Sequence, residues 1–190
     1  MKSTSKHLVF LLTCLTLAAN FYAQSPREQL SQLVEQLQKS PGDTTLRERI
    51  VKLGAELKPA PAIPEEARRS FVEGVTIVKS AKDTSSQTLA IESFNEALKI
   101  APWWGDAYYN LAVTQELIGQ LADAERTLKW FILSNPGESD ARDAQDRIYA
   151  IAAKQKLAAA ETVAKQEKAD REKSVYDWLL GEWRLNDEMK

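Results

Sequence analysis

Apolar residues recur every three or four positions through most of this chain, the spacing that gathers them on one face of a helix. Residues 26–58 carry two such stripes, Leu30, Leu33, Val34 and Leu37, then Leu46, Ile50, Leu53 and Leu57. Ser40, Pro41, Gly42 and Asp43 join them, and the pair reads as a degenerate repeat offset by half a unit. Prolines then break the pattern over residues 59–66, a segment that is either a flexible joint or an ordered strap over the next helix, and its short length favours the strap. Two further helical pairs follow, in residues 67–104 and 105–138. Neither glycine nor proline occurs between Gly137 and Gly181, so residues 139–175 are predicted to form one long helix. Its start, through Ile148 and Ile151, is amphipathic and suited to cap the array, while the rest is polar nearly all round. Residues 176–190 form an aromatic tail.

The two middle blocks align on each other with a period of 34 residues: Ala90, Phe94, Ala97 and Pro102 recur as Ala124, Leu128, Phe131 and Pro136. Such a period marks stacked units, each unable to bury its apolar face alone. In the second block Tyr108, Leu111 and Ala112 belong to a first helix, Ala124 and Leu128 to a second, and Gly119 to the turn between them. Ala112 and Ala124 are small where the two helices cross closely, and Pro136 ends the second helix because it cannot continue it. This spacing resembles the tetratricopeptide repeat family. The resemblance implies an all-α fold, a short solenoid of helical hairpins with a long carboxy-terminal helix, in which the first helix of each hairpin lines a groove for a protein or peptide. In the first block Gly74 and Ala112 stand 38 residues apart, and the four extra residues are expected in the inter-helix turn, within residues 79–87.

Composition narrows the chemistry. Lys2 and Lys6 precede an apolar run over residues 8–19 and a polar exit, which reads as a signal peptide over residues 1–23. The run is shorter than the roughly 20 residues that span a bilayer, so no stable membrane insertion is expected after signal cleavage. Cys14 sits in a sequence that loosely resembles a lipobox, but Leu12 and Thr13 fit that motif poorly. Cleavage removes His7 and Cys14, the single histidine and the single cysteine. The remaining chain can build no imidazole base, thiolate nucleophile, disulfide or ordinary zinc site. Loss of Lys2 and Lys6 takes the formal net charge from -2 to -4, and a mildly acidic surface argues against nucleic acid. The carboxylates, among them Asp123, Glu125, Asp140 and Asp143, fall at helix-surface spacing with no glycine-rich loop beside them. No catalytic, cofactor-binding or metal-ligating residue is therefore expected. The reading is a non-catalytic exported scaffold, periplasmic or secreted, that mediates protein-protein interaction in the cell envelope.

Spacing of four and then three residues puts Phe71, Val75 and Val78 on the groove face of the first block, and Tyr109, Val113 and Glu116 on that of the second. Asp143, Arg147 and Ala150 continue the face on the long helix. Phe71 and Val75 are expected to pack on the amino-terminal pair, which leaves Tyr109, Val113, Glu116, Asp143 and Arg147 as partner-binding candidates. Trp103 and Trp104, in the loop between the blocks, either anchor a partner or tuck over their neighbours, with at least one buried. Some members of the resembled family clamp a terminal carboxylate with Lys and Asn; here Phe71 and Val75 occupy such positions and only Asn110 matches. In the tail, Gly181, Glu182 and Trp183 resemble the opening strand of lipocalin-like barrels. That triplet supports an alternative, the amino-terminal arm of a longer small-molecule carrier truncated near Trp178.

Overall fold

The computed structural model of the chain describes residues 25–81 and 83–188, with side chains through residue 180. The signal-peptide expectation and the Trp183 side chain lie outside these. The described residues are all-α: α1 (Pro26–Lys39), α2 (Thr44–Glu56), α3 (Glu65–Ser80), α4 (Thr84–Ile100), α5 (Gly105–Leu117), α6 (Leu121–Leu133) and a long α7 (Glu138–Glu188). The chain divides into two compact units, Met1–Gln145 and Asp146–Lys190.

Local chemistry starts the helices where the polar residues stand. Ser25 and Glu28 form a capping box on α1: the Glu28 amide donates to Ser25 Oγ and the Ser25 amide to Glu28 Oε2 at 2.8 Å, with Pro26 in the first turn. Asp43 accepts from the Leu46 amide at 2.9 Å to start α2, and Asp83 from the Ser86 amide at 2.7 Å to start α4. At the end of α6, Asn135 takes a left-handed conformation (φ 58°) just before Pro136, the helix having closed at Leu133, three residues before the proline. Gly119, also left-handed at φ 79°, sits in the three-residue turn between α5 and α6.

In the first unit α3 packs on α4, α4 on α5 and α5 on α6, with α3 also reaching α5. Ala90, Phe94 and Ala97 on α4 are buried, as are Ala124, Leu128 and Phe131 at the matching positions of α6. The four extra residues of the first hairpin are not in its turn. The turn spans three residues in both hairpins; instead α3 runs one residue further past Gly74 than α5 does past Ala112, and α4 starts three residues further ahead of Ala90 than α6 does ahead of Ala124. The polar stretch expected to be loop is helical because Asp83 caps it and Ser85, Ser86 and Thr88 follow inside the first turn and a half.

The amino-terminal pair does not extend the row of first helices. Leu30, Leu37, Leu46, Ile50 and Leu57 form a small core of their own, completed by Leu33, Val34, Leu53 and Trp103. Helix α2 packs against α6, a second helix of the repeat pattern, so the pair lies against the opposite side of the array from its first helices. The proline segment runs beside α1, where it was expected over the next helix: Arg27 Nη2 donates to the Pro59 carbonyl at 2.7 Å, and Pro61 and Ala62 line a cavity with Leu30 and Val34. Phe71 finds ring partners in Phe94 and Trp104, at centroid distances of 5.8 and 4.5 Å.

Helix α7 continues past residue 175, where the long helix was expected to stop, through Glu188. Residues 176–188 are thus helical rather than a separate tail, and the triplet at 181–183 has helical backbone, not the strand that a barrel opening requires. One glycine inside a helix costs only about 1 kcal/mol, too little to end it by itself. Within the second unit Ile148 and Ile151 are buried, and from residue 156 to 180 every position is exposed.

Candidate functional site

The first unit holds a cavity of about 350 Å³ lined by Phe71 of α3, Asp106, Tyr109 and Asn110 of α5, Phe131 of α6, and Asp140 and Asp143 at the start of α7. Its floor is aromatic. Tyr109 packs on buried Phe131 at 5.1 Å between ring centroids, and Phe71 packs on Trp104 at 4.5 Å. Its rim is acidic, since Asp106, Asp140 and Asp143 are all exposed and no basic residue is among those lining it. Trp104 lies outside the lining but supports both layers: it packs on Phe71, and its Nε1 donates to Asp106 Oδ2 at 3.3 Å, holding that carboxylate at the rim. Two basic residues nearby in sequence pair with other acids, Arg126 with Asp123 and Arg142 with Glu138.

Register explains the convergence. Phe71, Tyr109 and Asp143 hold one position on three successive first helices of the pattern, and Asp106 and Asp140 are a single period apart. The cavity lies toward the amino-terminal ends of α5 and α7, where Asp106 and Asp140 sit in the first turn and complement the helix dipoles.

Of the candidates from sequence, Tyr109 and Asp143 line this cavity. Val113 and Glu116 lie one and two turns further along α5, half-buried, outside the lining. Arg147 is a half-buried residue of the second unit, one turn beyond Asp143 on α7. Trp103 is not a free anchor: it completes the core of the amino-terminal pair and stands against Gly54, where no Cβ would fit. Trp104 is half-buried under Phe71. Asn110 donates its side-chain amide to the Asp106 carbonyl at 2.9 Å, a helix-internal role and not that of a carboxylate clamp. Phe131, Asp106 and Asp140 belong to the cavity although sequence reasoning passed over them as site residues; the recurrence of aspartate exactly one period after Asp106 was the available signal.

The opposite side of the array carries a different cluster. Tyr108 is fully buried, donates to the Pro102 carbonyl at 2.8 Å and accepts from Arg47 Nη1 at 3.3 Å. Burial pushes its phenol up from the ordinary range, with the Arg47 guanidinium partly opposing the shift. Arg47 also lies 5.3 Å from the Trp130 ring centroid and Arg126 lies 5.9 Å from it. These contacts fasten α2 to α5 and α6, so their role is structural.

Among the described residues no group of three or more His, Cys, Asp or Glu side chains is placed to hold a metal ion, and no helix is long and apolar enough to cross a membrane. What fold and site define together is an all-α array of helical hairpins bearing an aromatic-floored, carboxylate-rimmed groove. Comparison with protein-family models, curated proteins and solved structures finds no match to this chain.

Proposed function

We propose that the protein is a non-catalytic, exported scaffold of tetratricopeptide type that holds a segment of a partner protein against the first helices of its hairpins. The observation that carries this reading is the convergence of Phe71, Tyr109 and Asp143, one repeat position on three successive helices, on a single cavity. A row of equivalent side chains facing one groove suits an extended or helical segment better than a compact substrate. The 34-residue period and the burial of matching positions on α4 and α6 support the repeat assignment. The charged opening and apolar run over residues 8–19 support export to the periplasm or beyond.

Site-specific photo-crosslinking in the native host tests the proposal. A photoreactive residue at position 109 should trap a discrete envelope partner that one at exposed Lys99, on α4, does not trap. The adduct should disappear when Phe71 and Asp143 are changed to Ser and Asn in the same chain. Equal trapping from positions 109 and 99, or trapping that survives the double change, would reject the groove. Amino-terminal sequencing of the protein from the same cells should begin near residue 24; a retained Met1 would reject export with cleavage.

A further inference from the structure

We infer that the cavity between α3, α5 and the start of α7 takes a cationic side chain, preferentially the guanidinium of an arginine, from a basic segment of the partner. This rests on the scaffold reading and specifies the occupant of its groove.

Three observations point to that chemistry. The lining residues offer three carboxylates and no basic side chain, so the rim is complementary in charge to a cation. Its floor offers π faces: Phe71 and Tyr109 are both half-buried and both backed by a second ring, Trp104 and Phe131, that fixes their orientation. A cation seated over such rings gains from the quadrupole as well as from the acids. Among the described residues the acids do not form a set that converges on one metal ion. Carboxylates distributed around an aromatic floor suit an extended planar cation instead, which can stack on a ring and present its donors outward to several oxygens at once. Lysine, a compact point charge, satisfies the acids but stacks less well. An acidic or neutral segment would place like charge, or none, beside Asp106, Asp140 and Asp143.

The source of the specificity is built into the repeat. Asp106 and Asp140 are separated by one period, so two equivalent rim positions carry the same charge, while the position that supplies the floor in Phe71 and Tyr109 supplies a rim acid in Asp143. The groove therefore passes from aromatic to acidic along its row, and a basic residue in the partner has one place where both kinds of contact are available.

The test is a titration of the full exported chain, amides followed by nuclear magnetic resonance, with a capped pentapeptide containing two arginines. Its lysine and citrulline counterparts serve as comparisons, citrulline keeping the shape of arginine and removing the charge. The arginine peptide should shift the amides of Phe71, Tyr109 and Asp143, bind more weakly as salt rises, and bind roughly tenfold more tightly than the citrulline peptide, a difference of about 1.4 kcal/mol. Asp140→Asn with Asp143→Asn should weaken it by a similar factor while leaving the melting temperature within a few degrees, since both side chains are exposed. Asp143→Asn alone, which leaves the first-turn acid of α7 in place, should give a smaller loss in the same direction. Equal binding of the arginine and citrulline peptides, full binding by the double variant, or shifts confined to other acidic surfaces would overturn the inference. If crosslinking from position 109 still traps a partner while the arginine peptide fails, the scaffold stands and the cationic occupant is wrong. If the peptide binds as expected and crosslinking traps nothing, the pocket is cationic and the scaffold reading is wrong.

Discussion

Gly74 faces the Phe94 ring so closely that a Cβ at position 74 would stand 2.7 Å from Cε1 and 2.9 Å from Cδ1. At the matching positions the second hairpin carries Ala112 and Leu128, a larger helix residue with a smaller partner. Volume is exchanged across the contact, so the two positions should be coupled. Gly74→Ala gains up to about 1 kcal/mol in helix propensity but overpacks the ring, which costs about 1–3 kcal/mol; the net expectation is destabilisation. Phe94→Leu alone leaves a void and also destabilises. Together they should recover part of the loss, giving a non-additive double-mutant cycle in urea denaturation. Additive losses would mean that the two side chains do not share the space. Gly42, which has open space around it, is the neutral control for an alanine substitution, whereas Gly119→Ala should cost about 1 kcal/mol through its left-handed backbone alone. At this scale much was legible in the sequence: Tyr109 and Asp143 follow from helical spacing, because spacing alone decides which residues share a face. Phe131 did not follow, since it reaches the groove from a second helix and only the crossing of the helices brings it there; Trp104 was a candidate from the loop, and it backs Phe71 without lining the cavity.

Helices α1, α2 and α4 start at a polar residue whose side chain caps them, and Asp83 is the informative one because it begins the lengthened part of α4. Hydrogen bonds from Ser86, backbone and side chain, hold the Asp83 carboxyl below its ordinary value. A carboxylate with a lowered pKa in the folded state stabilises the fold above its unfolded pKa, and that contribution is lost as pH falls through the folded pKa. Asp83→Ala should therefore lower the melting temperature at pH 7 and shrink the difference from the parent protein in the acid range below about pH 4. Hydrogen exchange should rise in the first turn and a half of α4 and nowhere else. A difference in melting temperature that did not change with pH would show that the cap acts through something other than its charge. The hairpin also shows why element boundaries were less legible than element identity. Residues 79–87 have turn-prone composition, but a cap followed by a hydrogen-bonded first turn can draw serines and threonines into a helix, and composition does not distinguish the two. In α7 the reverse held: Gly181 reads as a stop, yet one glycine costs too little to end a helix, and the helix runs on to Glu188.

At the scale of the molecule, the amino-terminal pair decides how the array is closed. The helical stripes of α1 and α2 were legible in the sequence, because they depend on local spacing. The side on which the pair docks was not, because it depends on Trp103, a loop residue supplied to its core from between α4 and α5, and on Arg47, which reaches Tyr108 and the Trp130 ring. Trp103 fills the space above Gly54, whose Cβ would stand 2.5 Å from that of Trp103. The pair's own core is small, and short helices with few buried side chains are marginal without such a tertiary contact. Trp103→Ala should consequently cost about 2–3 kcal/mol, below the usual range for a fully buried tryptophan because the side chain is half-buried. Its effect should be regional. Amides of α1 and α2 should lose protection by local opening, while those of α4, α5 and α6, whose cores are built from Phe94, Tyr108 and Leu128, should keep theirs. The arginine peptide should still bind the variant, because none of the cavity-lining residues belongs to α1 or α2. Loss of protection spread evenly over all the helices of this unit would instead mean that the pair and the hairpins fold as one cooperative block, with Trp103 as part of a shared core.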